Sequence, residues 1–342
     1  MAELTLEDIA KQVGVSRSTV SRVINGFASV NPTIRTKVME AIQETGYHPN
    51  VAARSLASQR SGIIGLMLPR STSSFFIDPF FPQLTQGVAY GCNKNDLTLS
   101  LYLVGNKEDE EKIYPRISRR GLLDGILVQS GQSDDRMIEY LATSRVPIVI
   151  LGRPFVTQGA NYIDVDNVSA AISATRHLIK QGRKRIAHIT GVRNSAVTID
   201  RLEGYKLALK GAGMVVDKSL IVEGDFTEPG GSTAMKQLLE VKPDAVFSAS
   251  DIMAVGAMNA AMDAGLKIPE DVAFVGFDDI PLASLTKVKL TTIRQPIMQF
   301  GIKAVELLID VINNGKKPAR RITLETELII RESCGALRTG VQ

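Results

Sequence analysis

The 342-residue sequence has no tryptophan, two cysteines and three histidines, and aromatic residues make up only 5% of it. Cys92 and Cys334 are too few for a disulfide framework and too far apart for a short metal-binding pattern. Both read as small buried hydrophobes in a reducing compartment. His48, His177 and His188 lack metal-ligand spacing, so neither a metal nor a cofactor is expected. No apolar run approaches the roughly 20 residues of a membrane helix. The opening MAELTLEDIAKQ is acidic and polar, unlike a signal peptide, so a cytoplasmic protein with no membrane partner is expected. Enzyme signatures are missing too. No G-x-G-x-x-G follows a strand, and G-x-x-x-x-G-K-[ST], G-x-S-x-G and metal-spaced His/Glu pairs are absent. The sequence therefore predicts a protein that is not an enzyme.

What remains is an ordinary globular composition, 44% hydrophobic and 22% charged, in a chain long enough for two or three domains. The net charge of +4 is unevenly placed. Lys11, Arg17, Arg22, Arg35, Lys37, Arg54 and Arg60 face only Glu40 and Glu44 across residues 11–60, a local excess that suggests a polyanionic partner.

Three short helices are legible in this basic stretch. Thr5-Leu6-Glu7-Asp8 has the form of a capping box, and Leu6, Ile9, Ala10 and Val13 recur at helical spacing before Gly14 breaks the run. Ser16 can cap a second helix reaching to about Asn25. Asn31-Pro32 opens a third, with Ile34, Val38, Ala41 and Ile42 on its buried stripe and Gly46 as its stop. At about 100° per residue, Arg17, Ser18, Ser21, Arg22 and Asn25 share one face of the second helix, and Val20, Val23 and Ile24 share the other. Two helices joined by a glycine turn, the second with such a face, form a helix-turn-helix. Arg17 and Arg22 suit two-pronged contacts to guanine, and Ser16, Thr19 and Ser21 suit phosphates. The plainer alternative is a three-helix bundle with a solvated polar face, against which stands the absence of any acid in residues 12–39.

After the turn Tyr47-His48-Pro49-Asn50, the segment Val51–Ala57 has helical character but is too short to be stable alone. It folds only when DNA or a twin copy holds it, and Leu56 can then wedge into a minor groove; otherwise it is a linker.

Leu6-Glu7-Asp8-Ile9-Ala10, Gly14-Val15-Ser16, Thr19-Val20-Ser21-Arg22-Val23-Ile24-Asn25 and Tyr47-His48-Pro49-Asn50 with Ala53-Arg54-Ser55-Leu56 resemble the headpiece of the lactose-repressor (LacI/GalR) family of bacterial transcription regulators. The resemblance implies that Arg17, Ser18 and Arg22 read the major groove of operator DNA, and that Leu56 levers open the central minor groove. The DNA-contacting set it implies is Thr5, Leu6, Ser16, Arg17, Ser18, Thr19, Ser21, Arg22, Asn25, Asn50, Ala53 and Leu56.

From Ser61 onward, short apolar strands alternate with amphipathic helices. Strands are predicted at Gly62–Leu68, Leu97–Val104, Gly125–Val128, Ile148–Leu151, Tyr162–Asp166, Arg185–Thr190, Asp244–Ala249 and Val272–Phe277. Helices are predicted at Phe81–Asn95, Lys107–Arg120, Ser169–Gln181, Asp200–Gly211, Gly230–Glu240, Ile252–Ala264 and Ile297–Asn314. Such alternation means an α/β fold of parallel sheets, and more strands are present than one sheet usually holds, so two lobes are expected. His177 lies on the apolar face of its helix beside Leu178 and reads as a satisfied core histidine. Gly211-Ala212-Gly213 reads as a helix stop.

In open α/β sheets ligands sit beyond the carboxyl ends of the strands. The residues there are Ser71–Phe81, Gln129, Gly152-Arg153, the loop Gly191–Arg201, Ser250-Asp251 and Asp278-Asp279, with Phe226 as a possible aromatic platform. Carboxylates, a guanidinium, an amide and phenyl rings suit a polyhydroxylated ligand. For Asp251 the plainer alternative is a helix cap, and part of the Phe75, Phe76, Phe80, Phe81 cluster would simply anchor the next helix.

The same family resemblance continues through Asp164-Val165-Asp166-Asn167, Gly182-Arg183-Lys184-Arg185-Ile186-Ala187, Arg201-Leu202-Glu203-Gly204-Tyr205, Val275-Gly276-Phe277-Asp278-Asp279 and Leu290-Thr291-Thr292-Ile293-Arg294-Gln295-Pro296. It implies a two-lobed core similar to periplasmic sugar-binding proteins. Arg201 and Asp278 would be the main effector contacts, and Asp78, Phe80, Phe81, Gln129, Arg153, Phe226, Ser250 and Asp251 would complete the site. Lys289 stands where the family usually has proline, the stretch Arg70–Pro79 is longer than usual, and Gly152 and Val197 occupy positions polar in some sugar-binding members. The expected plan is a headpiece at 1–48, a hinge helix and linker at 49–60 and a core at 61–342. Within the core, one lobe takes about 61–163 plus 294–324 and the other about 164–293 plus 325–342. Only eight residues follow Cys334, too few for a tetramerising coiled coil, so a homodimer is expected. The effector is expected to be a sugar or sugar phosphate, with a purine or nucleoside as the alternative. A solute-binding protein without DNA function is the rival from another class.

Overall fold

The computed structural model describes residues 4–24, 29–47, 60–69, 71–119, 121–129, 140–141, 146–155, 159–315 and 318–336. The chain divides into two compact units, Met1–Ser61 and Gly62–Gln342.

In the first unit α1 (Leu6–Val13) begins with a complete capping box: the Asp8 amide donates to the Thr5 hydroxyl and the Thr5 amide to the Asp8 carboxylate. Gly14, at φ +73°, ends it in the left-handed conformation that glycine adopts without strain. α2 (Arg17–Ile24) starts at Ser16, whose hydroxyl accepts from the Thr19 amide at 3.1 Å. α3 (Pro32–Thr45) starts at Asn31, which accepts from the Thr33 amide. Ile9, Ala10, Val20, Val23, Val38, Ala41 and Tyr47 close a small core between the three helices. The expected DNA contacts Asn25, Asn50, Ala53 and Leu56, and all of the hinge and linker 49–60 except Arg60, lie outside the described residues.

The second unit contains two six-stranded sheets. The first comprises β1 (Ile63–Leu68), β2 (Thr98–Leu103), β3 (Gly125–Gln129), β4 (Ile148–Leu151), β5 (Tyr162–Val165) and β11 (Arg321–Leu324), all parallel, in the order β11-β5-β4-β3-β1-β2. The second comprises β6 (Ile186–Thr190), β7 (Ile221–Glu223), β8 (Ala245–Ser248), β9 (Ala273–Asp278), β10 (Thr291–Arg294) and β12 (Glu327–Ile329). Its order is β12-β10-β9-β8-β6-β7, parallel except for β12 at the edge. Near-continuous burial of β1, β3, β6, β8 and β9 fits strands covered on both faces.

On the first sheet pack α5 (Phe80–Lys94) and α11 (Ile297–Asn314), which also pack on each other; α4 (Thr72–Ile77) and α6 (Lys107–Ile117) lie in the same half. The second sheet carries α7 (Asn167–Lys180), α8 (Ala196–Gly211), α9 (Glu228–Val241) and α10 (Asp251–Asp263). The chain crosses between the sheets three times: after β5, after β10, and between β11 and β12. Among the described residues no helix is long and apolar enough to cross a membrane.

The eight strands and seven helices read from the sequence all form. The structure adds α4, β7, β10, β11 and β12. Of the phenylalanine cluster, Phe75 and Phe81 are buried in the first core and Phe76 is exposed. His177 is buried, as expected, and among the described residues its Nε2 has no hydrogen-bond partner.

Candidate functional site

Between the carboxyl ends of the two sheets lies an open cleft lined from both. The first sheet's side supplies Asp78, Phe80 and Phe81 at the start of α5, and Gln129 at the end of β3. The second supplies Arg201 from α8, Phe226 after β7, Ser250 at the cap of α10, and Asp278 at the end of β9. These are eight of the ten residues assigned to the effector site from the sequence. The cleft also takes Ser195 and Val197, from the loop Gly191–Arg201 expected beyond the strand ends, and Gln295, which the sequence does not mark.

Arg201 and Asp278 are its electrostatic centre. Arg201 is buried, with its guanidinium over the Phe277 ring at 3.5 Å, its Nε donating to Asn167 at 2.9 Å and an Nη donating to the Ala249 carbonyl. The nearest Asp278 oxygen is 3.9 Å from it, an ion pair without a direct hydrogen bond. Asp278 instead accepts from the Gln295 side-chain amide at 2.6 Å. Burial pushes the Asp278 carboxyl up to about 7; Arg201 opposes that rise and Asp78 adds to it.

The aromatic walls are set by backbone geometry. Phe80 and Phe81 meet edge to face at 5.3 Å where α5 begins, and the Phe80 amide donates to Asp78. Phe226 is held at φ +62°, a left-handed conformation unusual for an aromatic residue, with its amide donating to the Met253 sulfur at 3.3 Å. Its ring lies across Gly191, where a Cβ would collide with it. Among the described residues Gln129 Oε1 is buried without a partner, and Ser195 sits at the N-cap of α8 without making the cap bond.

Two assigned residues do not line the cleft. The Arg153 side chain makes a two-pronged ion pair with Asp200 at 2.7 and 2.9 Å, and its amide donates to Asp164. Burial pushes the Asp164 carboxyl up to about 6. Asp251 is fully buried and turned inward, accepting from the Ile280 amide at 3.0 Å and the Thr292 hydroxyl at 2.5 Å. It is therefore an internal brace between α10, β10 and the segment after β9. The cap of α10 is Ser250, not Asp251.

On the headpiece, Arg22 is exposed on α2, and the hydroxyls of Ser16, Ser18 and Thr19 lie within 2.8 Å contacts around Ser16. Arg17 is exposed but engaged, its guanidinium 3.0 Å from Glu7 of α1.

A helix-turn-helix unit followed by a two-sheet core with a polar and aromatic interlobe cleft defines a DNA-binding regulator of the effector-responsive type. Residues 5–50 match the bacterial regulatory proteins of the lacI family, and residues 175–334 match the periplasmic binding protein-like domain. The HTH-type transcriptional regulator CelR of Thermobifida fusca is 37% identical over 333 residues, 96% of this chain and 98% of that protein. A solved CelR–cellobiose complex superposes with a TM-score of 0.78 at 35% identity, covering 96% of this chain and 99% of that one. The Lac repressor dimer bound to operator and the anti-inducer ONPF superposes with a TM-score of 0.81 at 26% identity, covering 97% and 99%. The chain belongs to the LacI family. It is a sequence-specific DNA-binding transcriptional regulator whose operator affinity is set by a small-molecule effector, and it is not an enzyme.

Proposed function

We propose that this regulator is a cytoplasmic homodimeric repressor whose effector is a neutral sugar bound in the interlobe cleft. The observation that carries this reading is Asp278 beside Arg201 in a cleft whose wall includes Phe80, Phe81 and Phe226. Vicinal hydroxyls donate to a carboxylate, and the apolar face of a sugar ring packs on phenyl rings. The charge balance favours an uncharged sugar over a sugar phosphate. Asp78 and Asp278 face the cleft, whereas the one cation among the described lining residues, Arg201, is already engaged by Asn167, Ala249 and Asp278. The cellobiose bound by CelR supports the same class. The phenyl walls would also suit a purine, the second reading.

On the DNA side, Arg17, Ser18 and Arg22 would read base edges, with Thr5, Leu6, Ser16, Thr19, Ser21 and Asn25 setting register on phosphates and sugars. Residues 1–48 would be the headpiece, 49–60 the hinge, and 61–342 the core. The hinge, through Asn50, Ala53 and Leu56, would fold on the operator only when paired with its twin. The operator-bound Lac repressor dimer supports pairing of two copies. Cleft closure would change the spacing of the two hinges, so a few kcal/mol of differential sugar affinity would shift occupancy strongly.

A thermal-shift panel of neutral sugars, sugar phosphates and nucleobases tests the effector class. Stabilisation by a neutral sugar that also alters operator binding is the expected result. Stabilisation by phosphorylated sugars or purines alone would reject the reading.

A further inference from the structure

Two consecutive residues at the end of β9 have left-handed backbones, Asp278 at φ 120° and Asp279 at φ 59°. Non-glycine residues stay in that region only where their surroundings hold them. Asp279 is held from both sides, by Arg294 at 2.7 Å and Arg331 at 2.6 Å. Asp278 is held by one residue twice: the Gln295 side-chain amide donates to its carboxylate at 2.6 Å, and the Gln295 backbone amide to its carbonyl at 3.2 Å.

The place of Gln295 in the chain gives this clamp its consequence. β10 ends at Arg294 within the second sheet, and α11 begins at Ile297 within the core of the first. Gln295 is therefore the first residue of the crossing between lobes, and the Ile297 amide donates to its carbonyl at 2.9 Å. It is buried and forms part of the cleft wall. One side chain thus touches the carboxylate that the ligand would engage and belongs to the segment that must move if the lobes close.

We propose that Gln295 is a positioning residue that orients the Asp278 carboxylate for the effector and couples its occupancy to the second lobe crossing. The inference rests on the sugar reading of the cleft. An amide fits this role because it donates to a carboxylate and carries no charge of its own. A ligand hydroxyl competing for the same oxygen would loosen or re-aim the clamp, and the change would enter α11 directly.

The test uses the full chain with Gln295→Leu and Gln295→Glu, a labelled operator duplex, and cellobiose, D-ribose and D-glucose as probes. For Gln295→Leu, sugar affinity should fall about tenfold, the scale of a hydrogen bond to a charged group. The ratio of operator affinities with and without saturating sugar should also shrink at least about fivefold, a loss of coupling that saturation cannot restore. A residue that merely shaped the pocket would lower affinity but leave the saturated ratio intact. Gln295→Glu supplies a signature independent of folding losses. When protonated, its carboxyl donates to Asp278 as the amide does; when ionised, it repels it. Sugar affinity and operator response in this variant should therefore peak where the two carboxyls share one proton and fall as pH rises further, whereas sugar affinity in the natural protein keeps rising. A natural saturated ratio in Gln295→Leu together with a natural pH slope in Gln295→Glu overturns the proposal. If the natural protein binds none of the probes, the sugar reading fails. Gln295 is then judged on the pH profile of thermal stability without ligand: a profile moved in both variants supports its hold on Asp278, and one unmoved in both overturns the proposal.

Discussion

Gly191→Ala probes the aromatic wall of the cleft without replacing a polar side chain. Gly191 follows β6 and does not have a positive φ, so alanine is compatible with its backbone and the effect is purely steric. A Cβ there would overlap Cε2 and Cζ of Phe226 and stand 2.6 Å from Thr198 Oγ1, against an ordinary contact of about 3.5–4 Å. The ring must therefore move by an ångström or more. Its root cannot follow, because the Phe226 backbone is fixed at φ +62° with its amide on the Met253 sulfur. The ring then swings out of its place in the cleft wall. Overpacking of this kind costs about 1–3 kcal/mol. If that cost falls on the bound state, sugar affinity drops roughly 5- to 150-fold. Isothermal titration with the sugar from the thermal-shift panel measures the loss, and operator affinity without sugar should be unchanged. Gly211→Ala, at a helix end with nothing near its Cβ position, serves as the control. Unchanged sugar affinity and thermal midpoint in Gly191→Ala would refute the placement of Phe226 against Gly191.

Three further outcomes are expected. Arg22→Ala should weaken operator binding by about 1–3 kcal/mol and relax base preference at one position while the headpiece stays folded; unchanged affinity for operator and mutated operator alike contradicts its base-reading role. Glu7→Gln should release Arg17 from its ion pair and remove an acid from the DNA-facing side, tightening operator binding by up to about fivefold at low salt, the scale of a surface pair. Fluorescence anisotropy at two salt concentrations decides this, and weaker binding counts against it. Because the Asp278 carboxyl is pushed up to about 7 and sugar hydroxyls donate to its ionised form, sugar affinity should rise with pH from 6 to 8. Asp278→Asn should abolish that slope, and a flat profile in the natural protein contradicts the assignment of Asp278.

The legible parts of the chain were those with strong periodicity and a start or stop signal. The headpiece helices announce themselves through Thr5, Ser16 and Asn31 as caps and Gly14 and Gly46 as stops, and the central strands through unbroken apolar runs. The short elements were not legible. β7, β11 and β12 run three or four residues at sheet edges, and Arg321–Leu324 and Glu327–Ile329 alternate exposure too briefly to stand out. β10 was missed for a similar reason, which hid the most informative cleft residue: without a strand ending at Arg294, nothing marks Gln295 as lying at a strand's carboxyl end. Ser195 falls within the loop Gly191–Arg201 that the sequence places beyond the strand ends, but nothing singles it out there, because α8 begins at Ala196 rather than Asp200 and Ser195 is its N-cap. Arg153 and Asp251 sit at the right ends of the right strands. Their side chains are drawn away by Asp200 and by Thr292 with the Ile280 amide, partners that only the tertiary fold brings near.

The central claim is that a sugar in the cleft alters binding of the headpiece to a specific duplex. The direct measurement is operator affinity of the full chain at fixed salt, on fragments from the promoter region of its own gene, with and without the sugar that stabilises it. At least a fivefold change in affinity is the expected result, within the usual range of coupling between two sites. Superimposable binding curves with and without every stabilising sugar, or no preference for any promoter fragment over random duplex, would contradict the account.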